Sequence, residues 1–288
     1  MLRRYITITL SLVLVFLAIT PTNALYEQSF QMVSGAVYSQ QIETTPPKPN
    51  LGGGSEIKNN VSISSGTVET NLFVTNGPIQ ISSGMITGTV TTNDGVSISG
   101  IHAIKGPIYR KPVSFQPKSF DYSIVPSTLP VRGEFSNHSD YVINSSGRYY
   151  NMHISKPLTI DTSNGDVIIM ANHINISSEI LVTGNHRAVL IVKDTLNFNH
   201  KSINSTKHKD FSLVVQSWGL NLQNEIDFYG NLYFEGYSLN LNNRIQFHGE
   251  IYAPLARVEL NASNLYGAIH CDSLGLHQNS NLLKSDQN

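Results

Sequence analysis

Leu220-Asn-Leu-Gln-Asn-Glu-Ile-Asp-Phe-Tyr-Gly-Asn-Leu232, Leu239-Asn-Leu-Asn-Asn-Arg-Ile-Gln-Phe-His-Gly-Glu-Ile251 and Val258-Glu-Leu-Asn-Ala-Ser-Asn-Leu-Tyr-Gly-Ala-Ile269 are three copies of one pattern, and a fourth begins at Leu274-Gly-Leu276. The leading apolar positions 220, 239, 258 and 274 lie 19, 19 and 16 residues apart, and Gly230, Gly249 and Gly267 lie 19 and 18 apart. Periods of this size belong to solenoids. Within each copy apolar and polar residues alternate over short runs, which is strand periodicity, and Gln223-Asn-Glu225, Asn242-Asn-Arg244 and Asn261-Ala-Ser263 are turn-formers. One strand-turn-strand coil cannot bury its apolar side alone. Stacked coils can, because neighbouring rungs hydrogen-bond strand to strand and place Leu on Leu and Phe on Phe. The pattern predicts an all-β chain folded as a single-stranded β-helix, or β-solenoid, with rungs of about 16–19 residues and a right-handed coil.

Working outward, a weaker repeat starts at Val61-x-Ile63, Ile79-x-Ile81 and Val96-x-Ile98, with Gly88-Thr-Val90 and Gly106-Pro-Ile108 as later glycine turns. Its spacings of 18 and 17 match the later rungs. Between the two blocks Pro112, Pro117, Pro126 and Pro130 remove ladder donors and favour extended or turn backbone. The expected organisation is a signal peptide at 1–24, an N-terminal segment with a Pro/Gly linker at 25–54, short rungs at 55–110, a connector at 111–140, a main solenoid at 141–283 and a tail at 284–288. Arg3 and Arg4, the apolar run Tyr5 to Ile19 and Thr22-x-Ala24 supply the three parts of a secretory signal cleaved near Leu25. That run is short against the roughly 20 residues a membrane-spanning helix needs. Elsewhere only Glu27 to Val37 escapes the Gly, Asn and Pro that break a helix.

Of 288 residues 14% are charged and the formal charge is -1, so an electrostatic attraction to nucleic acid or an anionic membrane surface has no basic excess behind it. Asn and Ser, 28 and 33 residues, supply the polar surface instead. Cys271, the single cysteine, rules out an internal disulfide framework in a compartment that would permit one, and the repeat points its side chain inward. The expected location is extracytoplasmic: extracellular, cell-surface or periplasmic. No cofactor, metal site or further membrane span is expected.

The Gly249-Glu-Ile-Tyr-Ala-Pro254 passage, the Val258-x-Leu-Asn261 start and the Tyr266-Gly-Ala-Ile269 turn resemble an uncharacterised family of bacterial β-solenoids found in surface proteins and in proteins associated with pilus assembly. The likeness extends through the glycine rungs, the Pro112 to Pro130 connector and the Ser146-Gly-Arg-Tyr-Tyr150 opening, most of the mature chain. The shorter rungs also resemble bactofilins, β-helices of the cytoplasmic face that polymerise end to end. What these resemblances imply is a structural or surface role. The chain lacks the prepilin start that some pilus-associated members carry.

A β-helix also raises the prospect of a polysaccharide lyase or hydrolase, which needs carboxylates converging on one outer face. Asp227, Glu250 and Glu259 fall in different columns of the repeat, so no catalytic residue is assigned. His200, Lys201, Lys207, His208 and Lys209 read as a solvated basic loop. If Phe228, Leu232 and Phe234 face inward, alternation turns Tyr229 and Tyr233 outward, then His248 and Tyr252, then Tyr266 and His270. These six residues form two columns, Tyr229/His248/Tyr266 and Tyr233/Tyr252/His270. They are a candidate face for a glycan or an envelope protein, or else they stack against each other or lie beneath the connector. The expected function is a non-catalytic secreted or surface solenoid with a structural or adhesive role. Polysaccharide binding or cleavage is the alternative, and self-polymerisation through terminal rungs a second one.

Overall fold

Alternating side chains sort themselves about a common axis: Leu, Ile and Phe inward, Asn, Gln and Ser outward. A computed structural model describes residues 54–199 and 202–285, and there the chain is a β-solenoid of about 12 turns. The expected signal, the segment 27–37, the linker up to residue 53, His200 and Lys201 lie outside the described residues. Strand ladders are parallel throughout, as in Leu220 on Leu239, Leu239 on Val258 and Val258 on Leu274. The inward residues merge into one core column that runs from rung to rung. No α-helix occurs among the described residues, only short 3-10 turns at Ile101–Ala103 and Tyr122–Ile124.

Each coil has three sides. The first carries the outward column Met170, Ile191, Val214, Tyr233, Tyr252 and His270. Asn221, Asn240 and Glu259 project from the second, and Asp227, Gln246 and Asn264 from the third. The turn-formers mark the corners: Asn224, Asn243, Arg244 and Ala262 all have φ between 51° and 78°, the left-handed region that Asn tolerates best. The repeated glycine marks another corner, where only a residue without Cβ fits. A Cβ on Gly249 would lie 2.0 Å from the Gly230 carbonyl oxygen, and one on Gly267 would lie 1.9 Å from that of Gly249.

Two features depart from the linear order that the repeats suggest. Strand Val131–Asn137 opens the main stack inside the segment read as connector, because alternation resumes directly after Pro130. The short N-terminal rungs do not precede it. They continue the far end of the stack: Ile57 pairs with Cys271, Val61 with Leu274 and Ser280 with Gly66. The Leu274 rung, expected to be the last, is therefore an interior one. The connector runs back along the first face as a strap, and Phe120 packs there with Ile168, Val189, Ile191 and Val214 in a second apolar cluster outside the core.

Candidate functional site

Both aromatic columns form. Tyr229 stacks on His248 at 4.4 Å between ring centroids and His248 on Tyr266 at 4.5 Å, with interplanar angles of 10° and 3°. Tyr233 stacks on Tyr252 at 4.7 Å and Tyr252 on His270 at 5.0 Å. The cause is the parallel register, which sets equivalent side chains one strand spacing apart. The middle rings, His248 and Tyr252, have both faces against neighbouring rings, so a sugar stacked flat on either is excluded by this geometry.

Environment separates the columns. Tyr233, Tyr252 and His270 lie under the strap: Phe120 meets Tyr233 edge-on at 5.3 Å, and the Lys118 Nζ sits 5.4 Å from the Tyr252 ring centroid. Burial, reinforced by the hydrogen bond that Tyr252 donates to Glu250, raises its phenol far above the ordinary range. Burial and then Glu250 raise Tyr233 as well. His270 is only 3% exposed, with Glu56 3.7 Å away. His270 is buried and Tyr233 and Tyr252 are partly buried, so what the geometry shows for this column is packing beneath the connector.

Tyr229, His248 and Tyr266 are half-buried on the third face and lie outside the strap's apolar cluster. Beside them runs an amide ladder, in which Asn264 donates to Gln246 at 3.2 Å and Asn281 to Asn264 at 2.8 Å. Tyr266 donates to the same Gln246 oxygen at 3.3 Å. The described part of the basic loop is solvated as expected, with Lys207 and Lys209 exposed, and it borders the Tyr229 end of the aromatic column. Asn204 is fully buried and donates to the carbonyls of His208 and Tyr229, which brings the Lys207 Nζ 5.2 Å from the Tyr229 ring centroid. Asn204 and Lys207 both have positive φ in that turn, 56° and 58°, and Asn204 is the residue type that marks such a position in a sequence.

Two other places were not legible as sites. A shallow open groove of about 430 Å³ crosses the first rungs, with Glu134, Asn151, His153, His173, Asn175 and Asn197 on its rim. The other is the seam between the blocks, where Glu259, His277 and Ser64 form a chain of hydrogen bonds. Cys271 is completely buried, and desolvation, then Asp272 and Glu259, hold its thiol protonated well above the usual range. No group of three or more His, Cys, Asp or Glu side chains arranged to hold a metal occurs among the described residues.

Fold and site together define a parallel β-solenoid with ladder-lined outer faces. Residues 128–287 match the family described as a domain of unknown function, DUF7305; this is more than half of the 288 residues, and the chain belongs to that family. The match takes in the main stack from its first strand and leaves the rungs at 55–110 outside. No curated protein and no solved structure matches the chain. Among the described residues no helix is long and apolar enough to cross a membrane.

Proposed function

We propose that this chain is a non-catalytic, extracytoplasmic bacterial β-solenoid with a structural and adhesive role, linked to surface or envelope assembly. The observation that carries the reading is the half-buried ladder Tyr229–His248–Tyr266, outside the strap's apolar cluster, beside the amide ladder Gln246–Asn264–Asn281. Together they present hydrogen-bonding edges at every rung, roughly 4.8 Å apart, on a backbone rigidified by parallel stacking. Such a row suits a hydroxyl-rich polymer lying along the stack, so a surface glycan is the partner class. The N-terminal run with Arg3, Arg4 and Thr22-x-Ala24 supports export.

The test is binding of the chain from Leu25 to immobilised envelope polysaccharide, comparing wild type with Tyr229→Ala/Tyr266→Ala while circular dichroism monitors the fold. A tenfold or greater loss with the fold intact supports the reading. Equal binding by the variant, or none by wild type, sinks it.

A second reading, a self-associating scaffold, is favoured by the terminal rung that carries Ile98, Ile104 and Ile108. These inward positions are only partly buried, and they border open strand edges. Ile104→Glu should abolish concentration-dependent growth in sedimentation velocity; growth that persists argues against that edge.

A further inference from the structure

Most neighbouring rungs follow one another in sequence, so the length of a corner fixes their register. At the seam between the blocks the partners are 213 residues apart, as in Asn59 donating to Asp272 at 2.8 Å and Ser64 bonded to His277 at 2.7 Å. A slip of one residue there would turn every inward side chain outward. Side chains must therefore set the register, and the seam is rich in specific pairs. Besides Asn59 with Asp272, the Glu56 carboxylate faces His270, and Glu259 accepts from His277 at 2.7 Å while His277 holds Ser64. This is the character of a recognition interface.

Only the strap decides whose block occupies that interface. Its 20 residues, 111–130, give 21 steps of about 3.3 Å, a reach of roughly 70 Å. The first-face column from Tyr109 through Thr91, Phe73, Glu56 and His270 to Val131 crosses eleven rung spacings, roughly 53 Å at 4.8 Å each. The tether reaches its own edge in extended form, and nothing in the seam distinguishes that edge from the same edge of another copy.

We propose that strands Asn264–His277 and Ser280–Leu283 form a strand-accepting site whose ligand is the block at 55–110, and that the block of a second copy docks there in exchange for the chain's own. The site adjoins the glycan ladder at Asn281, which accepts from the Thr67 N–H across the seam, and is separate from the Ile104 edge.

The test uses the inward register pair Ile57 and Cys271. Adjacent rungs place their Cα atoms roughly 4.8 Å apart, within disulfide range. With oxidised glutathione as the acceptor of the two electrons and two protons, Ile57→Cys alone should close an internal disulfide, detected as a loss of two hydrogens by mass; failure to close it removes the docking edge and overturns the proposal. Next, Ile57→Cys/Cys271→Ser chains are unfolded and refolded together with wild-type chains, then oxidised. Neither chain can bridge internally at the seam, so exchange is read as a disulfide-linked heterodimer whose yield rises with protein concentration. Absence of that heterodimer at every concentration overturns exchange. As a second measurement, deleting residues 112–119 from the Ile57→Cys chain leaves 14 steps from Tyr109 to Val131, at most about 50 Å against the roughly 53 Å to be crossed, too short for docking within one chain. Its seam disulfides should then all be intermolecular, and monomers with free thiols count against the proposal. Ile104→Glu should leave these results unchanged.

Discussion

Gly249 and Gly95 are both in left-handed backbone, with φ of 142° and 86°, but their surroundings differ. A Cβ at Gly249 would strike the Gly230 carbonyl at 2.0 Å, whereas one at Gly95 meets nothing within 4 Å. Gly249→Ala should therefore cost at least about 3 kcal/mol, because a core ladder must shift, and Gly95→Ala only about 1 kcal/mol of backbone strain. Urea midpoints of the two variants check the contrast, and equal losses would contradict the corner packing. Glu56 gives the residue scale its pH dependence. Burial pushes its carboxyl up, but the His270 imidazole 3.7 Å away, the Gln116 N–H and Lys118 outweigh that, and the net value lies below the ordinary 4.5. A carboxylate depressed on folding contributes stability that is present above 4.5 and lost as pH falls through the folded value. Hydrogen-exchange protection factors at residues 55–57 should fall on acidification through that window, and Glu56→Gln should flatten the change. The outward columns were legible in the sequence because alternation fixes which side chains project, as Tyr229 and Tyr252 show. Alternation is silent on what lies over them, so it did not show that the strap packs on the Tyr233 column and not on the Tyr229 column.

At the scale of elements, the strap is held mainly by Phe120, which is 7% exposed and set among Ile168, Val189, Ile191, Val214 and Tyr233. Tyr122 adds a bond to Glu235 at 2.6 Å and accepts one from Gln216 at 2.7 Å. Removing the ring by Phe120→Ala should cost about 3 kcal/mol, concentrated in the strap because Phe120 packs on the outer face of the ladders and outside the core column. Limited proteolysis within 111–130 should speed up while protection of the Leu220 to Leu241 ladders persists; simultaneous loss of both would show that strap and stack unfold as one unit. The four prolines announced an extended segment, but not its resting place. A signal was present: Val167-Ile-Ile-Met170 and Val189-Leu-Ile-Val192 are unbroken apolar runs where Leu220-Asn-Leu222 alternates. Unbroken runs belong to strands covered on both faces, and those residues are the ones beneath Phe120.

For the whole molecule, the spatial order of the rungs is a rotation of the sequence order, with 55–110 placed after 283. Matching periods of 17–19 residues in both blocks made such stacking sterically natural, yet a repeat specifies the size of a rung and not its neighbour. The side chains that specify the neighbour, Glu56, Asn59 and Ser64, are ordinary polar residues in isolation, so only their partners more than 200 residues away give them meaning. A tether over such a separation turns docking into an intramolecular event, with an effective concentration in the millimolar range for a connection of this kind. Cutting the strap should remove that advantage while leaving every seam contact in place. A protease site inserted between the exposed Ser127 and Thr128 permits the cut after folding. The intact chain should then unfold at a midpoint independent of concentration, and the nicked one at a midpoint that falls on dilution as the 55–110 piece leaves. A nicked protein whose midpoint ignores dilution would mean that the seam holds without a tether, whereas immediate separation at high concentration would mean that the strap, and not the seam pairs, supplies the docking energy.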